Sequence, residues 1–161
     1  MDYHDTMKLK PIAPTLIELK GNYPHFKLFI TGHSLGGALA TICAADLFLN
    51  HSITFDHFIT FGQPRVGNSN FAAWWEEIFR DKDVLRVTHA KDLVPHLPYA
   101  LFKYQHFGPE LWQRNESLDS LLECSSGEDK NCSEQEHPTL REGIVDHLNY
   151  FGMDLGNVCE V

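Results

Sequence analysis

No run in this 161-residue sequence approaches the roughly 18 consecutive apolar residues that a membrane-crossing helix needs. No basic stretch followed by an apolar one opens the chain either: it begins MDYHDTMKLKPIAP, in which no signal peptide is visible. Positive charge is scarce, since 13 Lys and Arg stand against 22 Asp and Glu for a formal charge of −9. Nucleic-acid binding needs a clustered positive surface that these scattered residues do not offer. Contact with neutral lipid stays open, because apolar area drives it. Cysteines number four. Cys124 and Cys132 flank a polar stretch and suit a small disulfide loop in an oxidising compartment. Cys43 reads as a buried small hydrophobe on an apolar helix, and Cys159 has no evident partner. The spacing of 124 and 132 matches no common zinc pattern, so no metal is expected. With 43% hydrophobic residues and no internal repeat or linker, residues 1–161 read as one domain with a single core.

Periodicity divides the chain. From residue 5 to about 20 the spacing of Met7, Leu9, Ile12, Leu16, Ile17 and Leu19 is loosely helical, interrupted by Pro11 and Pro14 and stopped at Gly21-Asn22. Phe26 to Thr31 is an apolar run suited to a buried strand, and Leu35 to Asn50 a proline-free helix of small apolar residues. Phe55 to Phe61 reads as a second strand, Asn68 to Arg80 as a helix with an aromatic face, and Val84 to Thr88 as a third strand. Strand–helix alternation with short connections predicts an α/β fold, a parallel sheet covered by helices. Beyond Pro95 the pattern weakens: a strand over Tyr104 to Trp112, a polar acidic loop over 113–143 and a short closing element over 144–152 are expected.

Gly32-His33-Ser34-Leu35-Gly36 fits G-x-S-x-G between a predicted strand and a predicted helix. A chain this long shows the pattern by accident with a probability of roughly 0.05, so the strand–helix context carries the weight. Such a turn lifts a serine hydroxyl above the sheet, and Gly32 and Gly36 are expected to be sites where any Cβ would collide with backbone. The following helix points its free N–H groups and positive end at Ser34, so an oxyanion formed there would meet the amide of Leu35. His33 is expected to be a packed, hydrogen-bonded residue, because neighbouring residues leave the turn in different directions.

Topology selects the acid and the base. Reactive groups gather at the carboxyl ends of parallel strands. Asp56 and Asp83 precede their strands, Asp46 lies far down its helix, and Asp119 and Asp129 belong to the acidic loop. Asp92 follows the third strand directly. The chain order Ser, Asp, His asks for a later histidine. His96 is too close to Asp92 on a proline-bounded loop, His106 falls inside an apparent strand, and His137 precedes a proline in the loop. His147 is left, with flanking apolar residues to anchor it. A base within hydrogen-bond reach makes the weak serine nucleophile reactive, and an aspartate fixes the base's tautomer. Tyr99, Leu101 and Phe102 are candidates for an apolar pocket or for ordinary core packing.

These residues resemble the fungal-type triacylglycerol lipases, or class 3 lipases, which include some feruloyl esterases and plant acyl hydrolases. The matching segments are Thr31 to Ala40, Phe61-Gly62-Gln63-Pro64-Arg65-Val66-Gly67-Asn68, Arg86 to Pro95, Gly108 to Trp112, and Asp146-His147-Leu148-Asn149-Tyr150-Phe151. The resemblance implies an α/β-hydrolase fold, ester hydrolysis without a cofactor, and a lipid or other ester substrate met at a lipid–water interface. It also implies secretion. It assigns Ser34, Asp92 and His147 to a catalytic triad and the Leu35 amide to the oxyanion hole. Members carry a long region before the nucleophile strand, with further strands, a second oxyanion donor and a lid, and only 33 residues precede Ser34 here. The chain is therefore expected to lack the N-terminal strands and lid, as a fragment, an alternative product or an incomplete reading of a longer gene. In the family a cysteine near the C-terminus can pair with one near the N-terminus, which fits lone Cys159. Losing one oxyanion donor costs on the order of 10²–10³ in turnover. The expectation is thus a lipase, with two alternatives: another acyl hydrolase (phospholipid, galactolipid or feruloyl ester), or an impaired form that serves as a binding partner.

Overall fold

The computed structural model describes residues 12–156; Met7, Leu9, Pro11 and Cys159 of the sequence patterns lie outside them. Helix α1 spans Ile12–Asn22. Pro14 does not interrupt it, because it stands in the first turn, where backbone N–H groups have no carbonyl one turn back and the missing one costs nothing. Ala13 of α1 packs on Leu47 and Ile53.

Strand β1, Phe29–His33, leads through Ser34 into α2, Leu35–His51. β2, His57–Phe61, is followed by the two-residue β3, Gly67–Asn68, and by α3, Ser69–Ile78. The Asn68 side chain caps α3 by accepting from the Phe71 N–H at 3.0 Å. β4 covers Asp83–His89. β1, β2, β4 and β6 (Glu110–Gln113) lie in parallel, in that spatial order, with Thr31 beside Ile59, Ile59 beside Leu85 and Val87 beside Leu111. This is the expected parallel α/β core.

The differences from the sequence pattern have local causes. β1 starts three residues later than its apolar run, because Leu28 donates its N–H to the Asp56 carboxylate and leaves the ladder to begin at Phe29. It is also not a buried strand: among the described residues it forms one edge of the sheet, and Phe29 is 61% exposed. The strand expected over Tyr104 to Trp112 is two strands, since Gly108 at φ +66° and Pro109, which has no N–H, break the ladder. The first piece, β5 (Tyr104–Gln105), pairs with β3 instead. The acidic loop contains β7, Leu121–Glu123, antiparallel to β6. The closing element is a helix, α4, that begins earlier than expected, at Leu140. A capping box starts it: Thr139 accepts from the Glu142 N–H, while the Glu142 side chain accepts from the Thr139 N–H. α4 runs to His147 and is followed by a hairpin of β8, Asn149–Tyr150, and β9, Met153–Asp154. Phe151 and Gly152 turn it at φ +55° and +74°, the left-handed pair that a two-residue hairpin needs.

α2 and α3 meet in one aromatic core. Ala40, Ala44 and Ala45 of α2 allow close approach to Phe55, Phe58, Trp75, Phe79 and Phe107. Trp75 lies 4.4 Å from Phe107 and 4.6 Å from Phe79 between ring centroids. Phe58, at 0% exposure, is the β2 residue around which these rings close. Phe58→Ala is expected to cost about 3–5 kcal/mol, read as a lower urea midpoint with unchanged slope. A loss well below that range would show that this cluster does not hold the sheet to its helices.

Candidate active site

Ser34 sits between β1 and α2 at φ +57°, ψ −130°, backbone that a residue with a Cβ adopts only under strain. Two devices hold it. The Ser34 N–H donates to the Phe61 carbonyl at 2.9 Å, pinning the turn to β2. The start of α2 lies so close over β1 that a Cβ on Gly32 would stand 2.3 Å from the Gly36 carbonyl oxygen. Gly36 itself does not carry the expected collision, because a Cβ there would point into open space. The second close approach is at Gly37, whose Cβ would lie 3.0 Å from Cβ of Gln63 and 3.2 Å from the Gly32 carbonyl oxygen. Crowding at the turn is one-sided: it involves the β1 glycine and the α2 residue that faces the sheet.

His147 is the last residue of α4, and it is buried. Nε2 lies 2.7 Å from the Ser34 hydroxyl oxygen, and Nδ1 lies 3.0 and 2.9 Å from the two Asp92 oxygens. A carboxylate only accepts, so the neutral ring carries its proton on Nδ1 and leaves Nε2 to accept from the hydroxyl. Asp92, 2% exposed, follows β4 in a turn closed by its own N–H to the His89 carbonyl at 2.8 Å. Its Oδ1 accepts from the Val94 N–H at 2.8 Å and its Oδ2 from the Tyr150 hydroxyl at 2.6 Å. The three residues selected from sequence thus come together at the carboxyl ends of β1 and β4. Leu35, whose amide was the expected oxyanion donor, is the first residue of α2, so its N–H has no carbonyl one turn back to bond.

Two neighbours escaped the sequence analysis, and a third was anticipated without its partner. Tyr150 is buried, and burial together with the adjoining Asp92 carboxylate pushes its phenol well above the usual range, so it remains a donor. Gly62, at φ +55° just after β2, forms the floor: a Cβ there would lie 2.8 Å from Asp92 Oδ2, 2.9 Å from the Tyr150 hydroxyl and 3.0 Å from His147 Cε1. His33 is packed and hydrogen-bonded, as expected, but its partner is His147 itself, whose carbonyl lies 2.8 Å from His33 Nε2. The signals were present, since Tyr150 lies three residues past His147 and Gly62 directly ends a strand; neither position announces what it touches.

The rejected candidates lie elsewhere. Asp56 caps Leu28, Asp83 pairs with His57 at 2.8 Å, and Asp46 accepts from Asn50. Asp129 is held at about 2 by donors from Ser125 and Asn131. His106 is buried in the break after β5, not inside a strand, with Nε2 2.7 Å from the Pro95 carbonyl. His96 faces Glu134, and His137 lines a cavity of about 300 Å³ whose walls are both polar and apolar, among them Arg65, Leu93, Tyr99, Glu134 and Pro138. Tyr99 therefore borders a cavity of mixed lining, while Leu101 and Phe102 are exposed and stand outside the core.

The segment after Asp92 has its own anchor. Buried Arg65 donates to the carbonyls of His96 at 2.6 Å and Pro98 at 3.2 Å, and grips Glu128 through two bonds of 2.8 and 2.6 Å. Glu128 lies in the loop closed by the Cys124–Cys132 disulfide, which forms as the spacing suggested. Cys43 is free and half-buried rather than fully buried, and burial raises its thiol pKa.

The family model described as "Lipase (class 3)" matches residues 5–102, more than half of the chain. A lipase of Rhizomucor miehei is 36% identical over 97% of this chain and 43% of its own length. Among solved structures, a lipase from Rhizopus microsporus var. chinensis superposes with a TM-score of 0.81 at 35% identity, over 91% of this chain and 50% of that one. A triacylglycerol lipase whose catalytic centre is formed by a serine protease triad gives a TM-score of 0.80 at 34% identity, over 95% of this chain and 58% of that one. The chain spans about half the length of these relatives. By sequence and by an α/β-hydrolase sheet shared with fungal lipases, the chain belongs to the class 3 lipase family.

Proposed function

We propose that this chain carries the reaction centre of a carboxylic-ester hydrolase acting on acylglycerols, with Ser34 as nucleophile, His147 as base and Asp92 as the acid that orients it. The reading rests above all on one unbroken line of hydrogen bonds, from the Ser34 hydroxyl through both nitrogens of His147 to Asp92. As Ser34 Oγ attacks the ester carbonyl carbon, its proton passes to His147 Nε2, and Asp92 stabilises the imidazolium across Nδ1. The carbonyl oxygen becomes an anion, which the Leu35 N–H at the positive end of α2 meets. Collapse breaks the bond to the alcohol, which leaves with the proton from His147. Water then attacks the Ser34 acyl ester, with His147 taking and returning its proton, and the free acid departs.

The substrate class follows from what flanks the centre. Leu35 beside Ser34, Leu148 beside His147, and Ile144 and Val145 on the preceding turn are all exposed. Exposed apolar side chains next in sequence to the reacting groups suit an acyl chain or a lipid surface better than a charged ester. The relatives named above are lipases, one of them acting on triacylglycerol, in keeping with this choice.

A fluorophosphonate probe is expected to label the folded chain and to leave Ser34→Ala unlabelled, with mass spectrometry placing the adduct on Ser34. A folded chain that stays unlabelled would overturn the reading. Among substrates, hydrolysis of an emulsified acylglycerol is expected to exceed that of a galactolipid or a feruloyl ester; the reverse order would overturn the substrate class alone. Tyr150→Phe keeps the ring but takes a donor from a buried carboxylate. It is expected to lower stability by about 1–3 kcal/mol and to slow probe labelling, and a variant equal to wild type in both would show that the phenol does not support Asp92.

A further inference from the structure

His33 and Ser34 are neighbours in sequence, and both touch residue 147. Ser34 Oγ meets the His147 ring at 2.7 Å, while His33 Nε2 lies 2.8 Å from the His147 main-chain oxygen. The two imidazoles stack, with centroids 4.5 Å apart and planes 29° from parallel. The His33 ring also meets Tyr150 edge-on at 5.7 Å, the residue that holds Asp92. The carbonyl involved belongs to the last turn of α4, where carbonyls have no N–H one turn on to bond. A carbonyl only accepts, so His33 must carry a proton on Nε2.

From these contacts we infer that His33 is a positioning residue for the base: resting on the hydrolase reading above, it clamps the backbone of His147 so that the imidazole stays in line with Ser34. The need for a clamp is plain in the way α4 is held. The helix is eight residues long, and Leu140, Ile144 and Val145 are exposed. The residue before the base, Asp146, is tied twice, by its carbonyl to His89 Nδ1 at 3.1 Å and by its carboxylate to the Lys91 N–H at 2.9 Å. Both fasten the preceding residue to the loop after β4. His33 alone among these ties runs from the serine's own strand to the base's own backbone. It therefore fixes the distance between nucleophile and base directly, and the stacked face stops the His147 ring from tilting. Burial lowers the basicity of His33, which keeps a second positive charge away from the imidazolium that forms at His147.

The test uses the chain as it stands and the fluorophosphonate probe, with labelling resolved into a binding constant and a maximal rate. His33→Phe keeps a stacking ring and loses the donor; His33→Gln keeps an N–H donor. His33→Phe is expected to lower the maximal rate roughly tenfold with the binding constant unchanged, since small misplacements of a reacting group cost one to two orders of magnitude. His33→Gln is expected to recover most of the loss. A folded His33→Phe that labels at the wild-type rate, or a His33→Gln no better than it, would overturn the clamp. Nitrogen-15 spectra of wild-type imidazoles give a second reading that needs no variant to fold: His33 must carry its neutral proton on Nε2, and a proton on Nδ1 instead would overturn the proposal. A wild-type chain that fails to label while His33 shows the Nε2 proton would count against the hydrolase reading and not against the clamp.

Discussion

One imidazole is bonded on one side to a hydroxyl 113 residues earlier and on the other to a carboxylate 55 residues earlier, and the rest of the described structure serves that arrangement. Each of these bonds tolerates only a few tenths of an ångström. Three separate pieces of chain must therefore be fixed relative to one another by something stiffer than their own loops. The parallel sheet supplies the frame. β1 delivers Ser34, β2 delivers Gly62 as the floor beneath Asp92 and His147, and β4 delivers the turn carrying Asp92. β6 joins them less directly, through Gln113, whose side-chain oxygen accepts from the Phe151 N–H and so ties the hairpin after His147 to the sheet.

Around this frame lies a shell of polar bonds that does for the loops what the ladder does for the strands. Arg65 holds the carbonyls of the segment after Asp92 and is itself gripped by Glu128 of the disulfide-closed loop. Tyr150 holds the Asp92 carboxylate, Asp146 holds the turn at Lys91, and His33 holds the main chain of His147. Buried polar groups are costly unless paired, so each of these bonds also narrows the number of ways the loops can pack.

Much of this was legible in the sequence because it depends on local pattern. Strand and helix order follows from periodicity, the serine turn from glycines at fixed spacing, and Asp92 from its place just after a strand. What was not legible depends on approach in space. Gly36 fits the motif yet carries no collision, while Gly37, outside it, does, because the close neighbour Gln63 belongs to another strand's loop. β7 is only three residues long and exists because β6 offers it an edge, which no window of sequence reveals. β1 reads as buried from its apolar residues, but burial is a property of what lies beside a strand. The Thr139–Glu142 capping box could have set the start of α4 from sequence, since its spacing is itself a local signal.

The His147 ring bonds Asp92 and Ser34 at once, and proton resonance of the ring is the sharpest check on that double attachment. A Nδ1 proton held against a buried carboxylate gives a strongly downfield signal coupled to its nitrogen. His147 is expected to show such a signal in the wild-type chain, lost in Asp92→Ala and shifted in Ser34→Ala. A folded chain in which His147 shows no downfield Nδ1 proton, or shows one indifferent to both substitutions, would contradict it.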